Sequence, residues 1–195
     1  RSTYLVSSAD FVAVHAPTYV AKYDTTEDLK EGGTFLLNCP WSVEELDTRL
    51  TGKMKRDLAR KHANFYIIDA AKLAREIGLG QHTNNILQAA FFALTRVIPL
   101  DVAVEDMKKN NYNSYFKKAG QEIVDLNDKA VDIGISAAVK VEIPASWADA
   151  PDTPRLVARR PLADFRQGHR AAHGPPAGRQ AARLRVQSTV CWTHL

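Results

Sequence analysis

The chain has 195 residues, 45% of them apolar, with two cysteines and a formal net charge of +4, enough for one globular domain and too short for two large ones. Residues 1–154 carry 18 Lys and Arg against 21 Asp and Glu, while residues 155–195 carry eight Arg against Asp164 alone. An acidic body excludes a nucleic-acid footprint there, Cys39 and Cys191 lie too far apart in sequence for a disulfide framework or metal motif, and the longest apolar stretch, "ILQAAFFALTRVIPL", is interrupted by Arg96 and Pro99, which argues against a membrane span.

The opening "RSTYLVSSADFVAVH" has neither an initiator Met nor a signal-peptide pattern. It reads as the interior of a longer, cytoplasmic polypeptide, and the sparse cysteines agree with a reducing compartment. "FVAVH" (Phe11–His15), "TFLLN" (Thr34–Asn38) and "FYIID" (Phe65–Asp69) are continuous apolar runs without polar alternation. That pattern predicts strands buried on both faces.

Two helices are expected between them. "TYVAKYDTTEDLKEGG" runs to Gly32-Gly33, read as a helix stop. "SVEELDTRLTGKMKRDLARKH" opens with Ser42 and Glu45 in capping-box spacing and turns Val43, Leu46, Leu50, Met54 and Leu58 to one side. Strand–helix–strand–helix–strand implies crossover connections, hence an α/β class with a Rossmann-like, mostly parallel sheet and flanking helices.

The second half reads as helical. Helices are expected over 84–98, 101–110 and 121–141, the last with Ile123, Val124, Val131, Ile135, Ala138 and Val139 inward. "VEIPASWADAPDTP" has linker composition, so the α/β domain is assigned to 1–143 and a linker to 144–165.

A parallel sheet presents its ligand side at the carboxyl ends of its strands. His15, Asn38-Cys39 and Asp69 arrive at that edge, either as a polar rim around a ligand or, the better-supported reading, as caps and loop braces. Cys39, before Pro40, reads as a small buried hydrophobe with no basic partner nearby in sequence. In "GLGQHTNN" (Gly78–Asn85), Gly78 can end a helix in a left-handed turn and Gly80 can admit close backbone approach. Thr83 or Asn84 can cap the next helix, whose free amides would suit a phosphate. Gly-x-Gly between helices is also an ordinary turn. His62 reads as a solvated helix end, and "KKNNYNSYFKK" (Lys108–Lys118) as a solvated junction rather than a nucleic-acid surface.

Together, "YDTTEDLKEGGTFLLNCPWSVEEL", "FYIIDAAKLAREIGLG" and "ILQAAFFALTRVIP" resemble the pyruvate:ferredoxin (flavodoxin) oxidoreductase family, and within it the gamma, or third, domain, from Arg1 to about Phe165. The resemblance implies a parent that decarboxylates pyruvate, transfers the acetyl group to coenzyme A, and passes electrons through iron–sulfur clusters to ferredoxin or flavodoxin. Other domains or subunits of the oxidoreductase would then hold thiamine diphosphate and the 4Fe-4S clusters, while this one helps enclose the coenzyme A side. On the family pattern Gly78, Gly80 and Asn84 match, and His82 stands where arginine is usual, a weaker and pH-dependent partner for phosphate. These four are the candidate coenzyme A contacts. The family's Gly-rich opening strand is missing before Arg1, so the domain is expected to be N-terminally incomplete and the isolated fragment inactive.

The resemblance stops after "PLADF" (residues 161–165). Read one base later, the codons that could encode residues 166–195 can yield a string similar to the family's linker into its iron–sulfur domain. Residues 166–195 are therefore expected to be an out-of-frame, disordered tail whose arginines were not selected to grip phosphate. Two rival expectations remain: a free-standing gamma subunit acting as an assembly and binding module, and a nucleic-acid binder using the tail, which would lose binding steeply with salt.

Overall fold

The computed structural model describes residues 7–152. The first six residues and 153–195, and with them most of the expected linker and the whole expected tail, lie outside the described residues.

Four strands form one sheet in the order β1 (Ala9–Val14), β2 (Leu29–Asn38), β3 (Asn64–Ile68) and β4 (Val139–Val141). The first three are parallel, and β4 runs antiparallel to β3. Each of the three apolar runs is a strand, and the missing alternation has its cause in cover on both sides. Val12, Val14, Phe35, Leu37, Phe65 and Ile67 face one layer of helices, and Ala13, Leu36 and Ile68 face the other. In register, Phe35 lies opposite Phe65, their rings edge-on at 5.9 Å.

The first layer holds α1 (Thr18–Lys22), α2 (Leu46–Arg49) and α3 (Gly52–Arg60). The second holds α4 (Ala70–Glu76), α5 (Asn84–Thr95) and α7 (Gln121–Gly134), with α6 (Leu100–Ala119) packed outside α5 and α7.

Several boundaries differ from the sequence reading. Gly32-Gly33 do not stop a helix; they lie inside β2, and α1 ends at Lys22. The β1–β2 register jumps from Ala9↔Leu29 to Phe11↔Thr34, so the extra residues bulge out of β2. Gly32 supplies φ +70° for this bulge, and a Cβ at Gly33 would meet the Leu29 side chain at 2.8 Å and the Lys30 carbonyl at 2.9 Å.

The capping-box segment is likewise two helices. Ser42 and Glu45 make the reciprocal bonds, the Ser42 amide donating to Glu45 Oε2 at 3.0 Å and the Glu45 amide to Ser42 Oγ at 3.4 Å. Leu50 and Thr51 then turn extended, and Thr51 caps α3 by accepting from the Met54 amide at 3.3 Å. A Cβ at Gly52 would lie 1.9 Å from the Pro151 carbonyl oxygen, so only glycine fits there.

The expected 121–141 helix stops at Gly134, and its last residues form β4, with Val139 exposed rather than inward. Helix α6 continues nine residues past its expected end at Asn110. Ala145–Asp149 within the Pro/Ala-rich stretch form a 3₁₀ turn. Trp147 anchors that turn: it is buried against Phe65, and its indole N–H donates to Asp47 at 2.9 Å.

Candidate functional site

The strand ends place His15, Asn38, Cys39 and Asp69 on the carboxyl edge, and local geometry uses up most of their polar capacity. Asn38 donates to the His15 carbonyl at 2.9 Å and accepts from the Ala70 amide at 3.0 Å. It thereby ties the end of β1 to the start of α4. Asp69 caps α4 by accepting from the Lys72 amide at 2.9 Å. Cys39 is a buried free thiol. Burial pushes its pKa up; a backbone bond at Trp41 opposes this, while the charges of Asp69 and Glu45 add to it. An uncharged, enclosed thiol is a poor nucleophile.

His15 stands exposed at the rim, yet the protein around it lowers its pKa by desolvation. Beside it a cavity of about 10 Å³ is lined by Phe11, His15, Leu36, Asn38, Leu87 and Phe91. That volume admits a single water rather than a substrate. Among the described residues no group of three or more His, Cys, Asp or Glu is placed to hold a metal ion.

Gly78, Gly80, His82 and Asn84 all fall in or at the end of the loop joining α4 to α5 and are exposed, while Ile77 and Leu79 of the same segment point into the core. Gly78 has φ +90° and ends α4, its amide donating to Arg75 and that of Leu79 to Ala74. Gly80 has φ +62°, and a Cβ at either glycine would meet nothing within 4 Å. Backbone conformation, not crowding, is what requires glycine here. Thr83 sits at the N-cap of α5 without a side-chain capping bond, which leaves the first amides of a 12-residue helix without that partner.

The glycine loop follows the seven-residue α4 and opens α5, and Leu87 in the first turn of that helix lines the same cavity as His15 and Asn38.

Sequence reasoning missed a buried polar cluster directly beneath that loop. The Asn85 amide nitrogen donates to Asn111 Oδ1 at 3.0 Å and to Asn127 Oδ1 at 2.7 Å. Asn111 in turn donates to Asp128, and Asn127 to the Ile123 carbonyl. This network fastens α5, α6 and α7 together next to Asn84. Polar residues on amphipathic helices read as solvent-facing, so only the coincidence of three Asn on inward positions could have given it away.

Residues 1–137 match the family described as "Pyruvate ferredoxin/flavodoxin oxidoreductase". The chain is 48% identical over 152 residues to the pyruvate:ferredoxin oxidoreductase of Moorella thermoacetica, covering 78% of this chain and 13% of that protein. It is 45% identical over 165 residues to the pyruvate-flavodoxin oxidoreductase of Enterobacter agglomerans, covering 85% and 14%. The chain thus spans about a seventh or less of the length of these relatives. Among solved structures, subunit PORC of the Thermotoga maritima pyruvate oxidoreductase superposes with a TM-score of 0.54 at 21% identity, over 70% of this chain and 67% of that one. At that identity the likeness concerns the fold alone.

Proposed function

Because the chain belongs to the pyruvate ferredoxin/flavodoxin oxidoreductase family, we propose that it works as one α/β segment of a larger enzyme that oxidises pyruvate to acetyl-coenzyme A and hands the electrons to ferredoxin or flavodoxin. The observation that carries this reading is the pairing of close identity with small coverage: 48% identity over most of this chain, yet 13% of the relative. Such a segment contributes surface and position, and leaves redox chemistry to cofactors held elsewhere; thiamine diphosphate and 4Fe-4S clusters fit that division. A free-standing binding subunit is less well supported, since these close relatives carry the segment inside much longer chains.

The finer part of the reading assigns Gly78, Gly80, His82 and Asn84 to the phosphate end of coenzyme A. The start of α5 supports it, because a helix start without a side-chain cap leaves amides for an anion, whereas the amides of Gly78, Leu79 and His82 are engaged within the turn itself. The domain is read as 1–143 and the tail from 166 as out of frame; sequencing the gene across the Phe165 codon tests the latter, and an intact frame without downstream iron–sulfur coding refutes it.

The main test is a graft. Residues 1–152 replace the matching segment of the Moorella enzyme, and pyruvate- and coenzyme A-dependent reduction of ferredoxin is measured. Activity within about tenfold of the parent, a loss under 1.4 kcal/mol, is expected. A folded graft without turnover refutes the assignment.

A further inference from the structure

Helix α6 carries a covered face and, in its C-terminal half, an uncovered aromatic patch. Ala103, Met107 and Asn111 point inward at helical spacing against α5 and α7. Directly opposite, Tyr112 and Phe116 stack at 4.5 Å with their planes 18° apart. Tyr115 flanks them, and Val102 is exposed nearer the start of the helix, separated from the aromatic residues by the exposed acids Glu105 and Asp106. All four stay between 39% and 47% exposed. A contiguous exposed aromatic patch marks a contact surface.

Charge identifies the occupant. From Met107 to Gly120 the sequence contains Lys108, Lys109, Lys117 and Lys118 and no acid. Lys108 is committed to Asp132, whereas Lys109, Lys117 and Lys118 are exposed and have no ion pair among the described residues. A second copy placed antiparallel on this face would set its lysines against these. Residues 153–195, with eight Arg and the single acid Asp164, are equally mismatched. The complementary surface is acidic around an apolar centre, and aromatic anchors ringed by charge are how protein partners are held. This chain also accounts for only 13% of its Moorella relative, which leaves ample protein to supply that surface.

We propose that the outer face of α6, at Tyr112, Tyr115 and Phe116, is the surface by which this segment seats on an acidic, apolar-centred face of the remainder of its parent enzyme. The inference rests on the reading of the chain as one segment of that enzyme. Both ideas are tested with defined components: this chain co-expressed with a tagged Moorella enzyme from which the matching segment is deleted.

The wild-type chain is expected to co-elute with the tagged enzyme after nuclease treatment. The double variant Tyr112→Ala/Phe116→Ala and the triple variant Lys109→Glu/Lys117→Glu/Lys118→Glu are each expected to be retained about tenfold less, with unchanged circular dichroism because the altered side chains are exposed. Added salt weakens wild-type retention, and the isolated chain sediments as a monomer. If the wild type co-elutes and both variants do so equally, the α6 proposal falls while the segment reading stands. Absence of wild-type co-elution overturns both. Retention abolished by nuclease, or self-association that the Tyr112→Ala/Phe116→Ala variant removes, assigns the face to nucleic acid or to a second copy and overturns the proposal.

Discussion

Replacing Asn85 with leucine tests whether the buried amide cluster holds the three-helix layer in place. Among the described residues Asn85 alone donates to Oδ1 of Asn111 and of Asn127, two residues that are 1% and 6% exposed. Leucine fits the volume but leaves both acceptors without a partner. Each such loss costs about 1–3 kcal/mol, against a gain of about 1 kcal/mol for the extra apolar burial. The net expectation is a loss of about 1–5 kcal/mol. With a urea slope of about 2 kcal/mol/M for a domain of this size, the unfolding midpoint should fall by about 0.5–2.5 M. Tryptophan fluorescence reports it through Trp41 and Trp147, and circular dichroism provides the second probe. A variant within about 0.5 kcal/mol of wild type would mean that water already serves these oxygens and that apolar packing alone sets the position of α5.

Four other outcomes follow from the same geometry. Gly134→Ala should destabilise by about 1–3 kcal/mol, because its Cβ would meet the Ile86 carbonyl oxygen at 2.5 Å and the Ala89 Cβ at 2.8 Å; thermal melting measures this, and an unchanged midpoint would show that α7 retreats freely from α5. In a Cys191→Ser background, Cys39 should react with a thiol reagent at neutral pH only after unfolding, since burial disfavours its thiolate; rapid labelling of the native chain contradicts that. Burial raises the Asp57 pKa, but bonds from Lys53 and Thr26 outweigh it and leave the carboxyl below its usual range. Its contribution is therefore full above the unfolded carboxylate pKa and is lost as pH falls through the folded one, so Asp57→Asn should flatten the acid limb of the stability curve measured by urea titration. In the graft, His82→Arg should lower the KM for coenzyme A several-fold with kcat unchanged, the fork of an arginine being the better phosphate partner; a shift in kcat alone would place His82 elsewhere in the cycle.

The sheet was legible in the sequence because its strands are sandwiched: Val12, Leu36, Phe65 and Ile68 have no solvent side to advertise, so the runs stay apolar throughout. The helix boundaries were less so. Gly32-Gly33 and Thr51-Gly52 both look like helix punctuation, and only their tertiary neighbours, Asp10 across the bulge and Pro151 against α3, distinguish a strand bulge from a break between helices. Strand β4 is three residues long and its pairs with β3 join residues 72 to 76 positions apart, beyond any local pattern. For the candidate groups, the left-handed backbone of Gly78 and Gly80 could be anticipated from glycine itself. The packing of α5 against β1, which puts Leu87 beside His15 and Phe91 on Phe11, could not, because it joins segments more than 70 residues apart.

The seat of Pro151 on Gly52 has a consequence for how this unit could be joined to others. Arg56 grips the Ala150 carbonyl and the Asp152 carboxylate, so the chain departs beside α3, on the opposite side of the sheet from α5 and α7. Asp152 therefore leaves the described fold on the face of the sheet opposite the α5–α7 layer, and a splice made at that point touches none of the contacts that hold α5, α6 and α7 together.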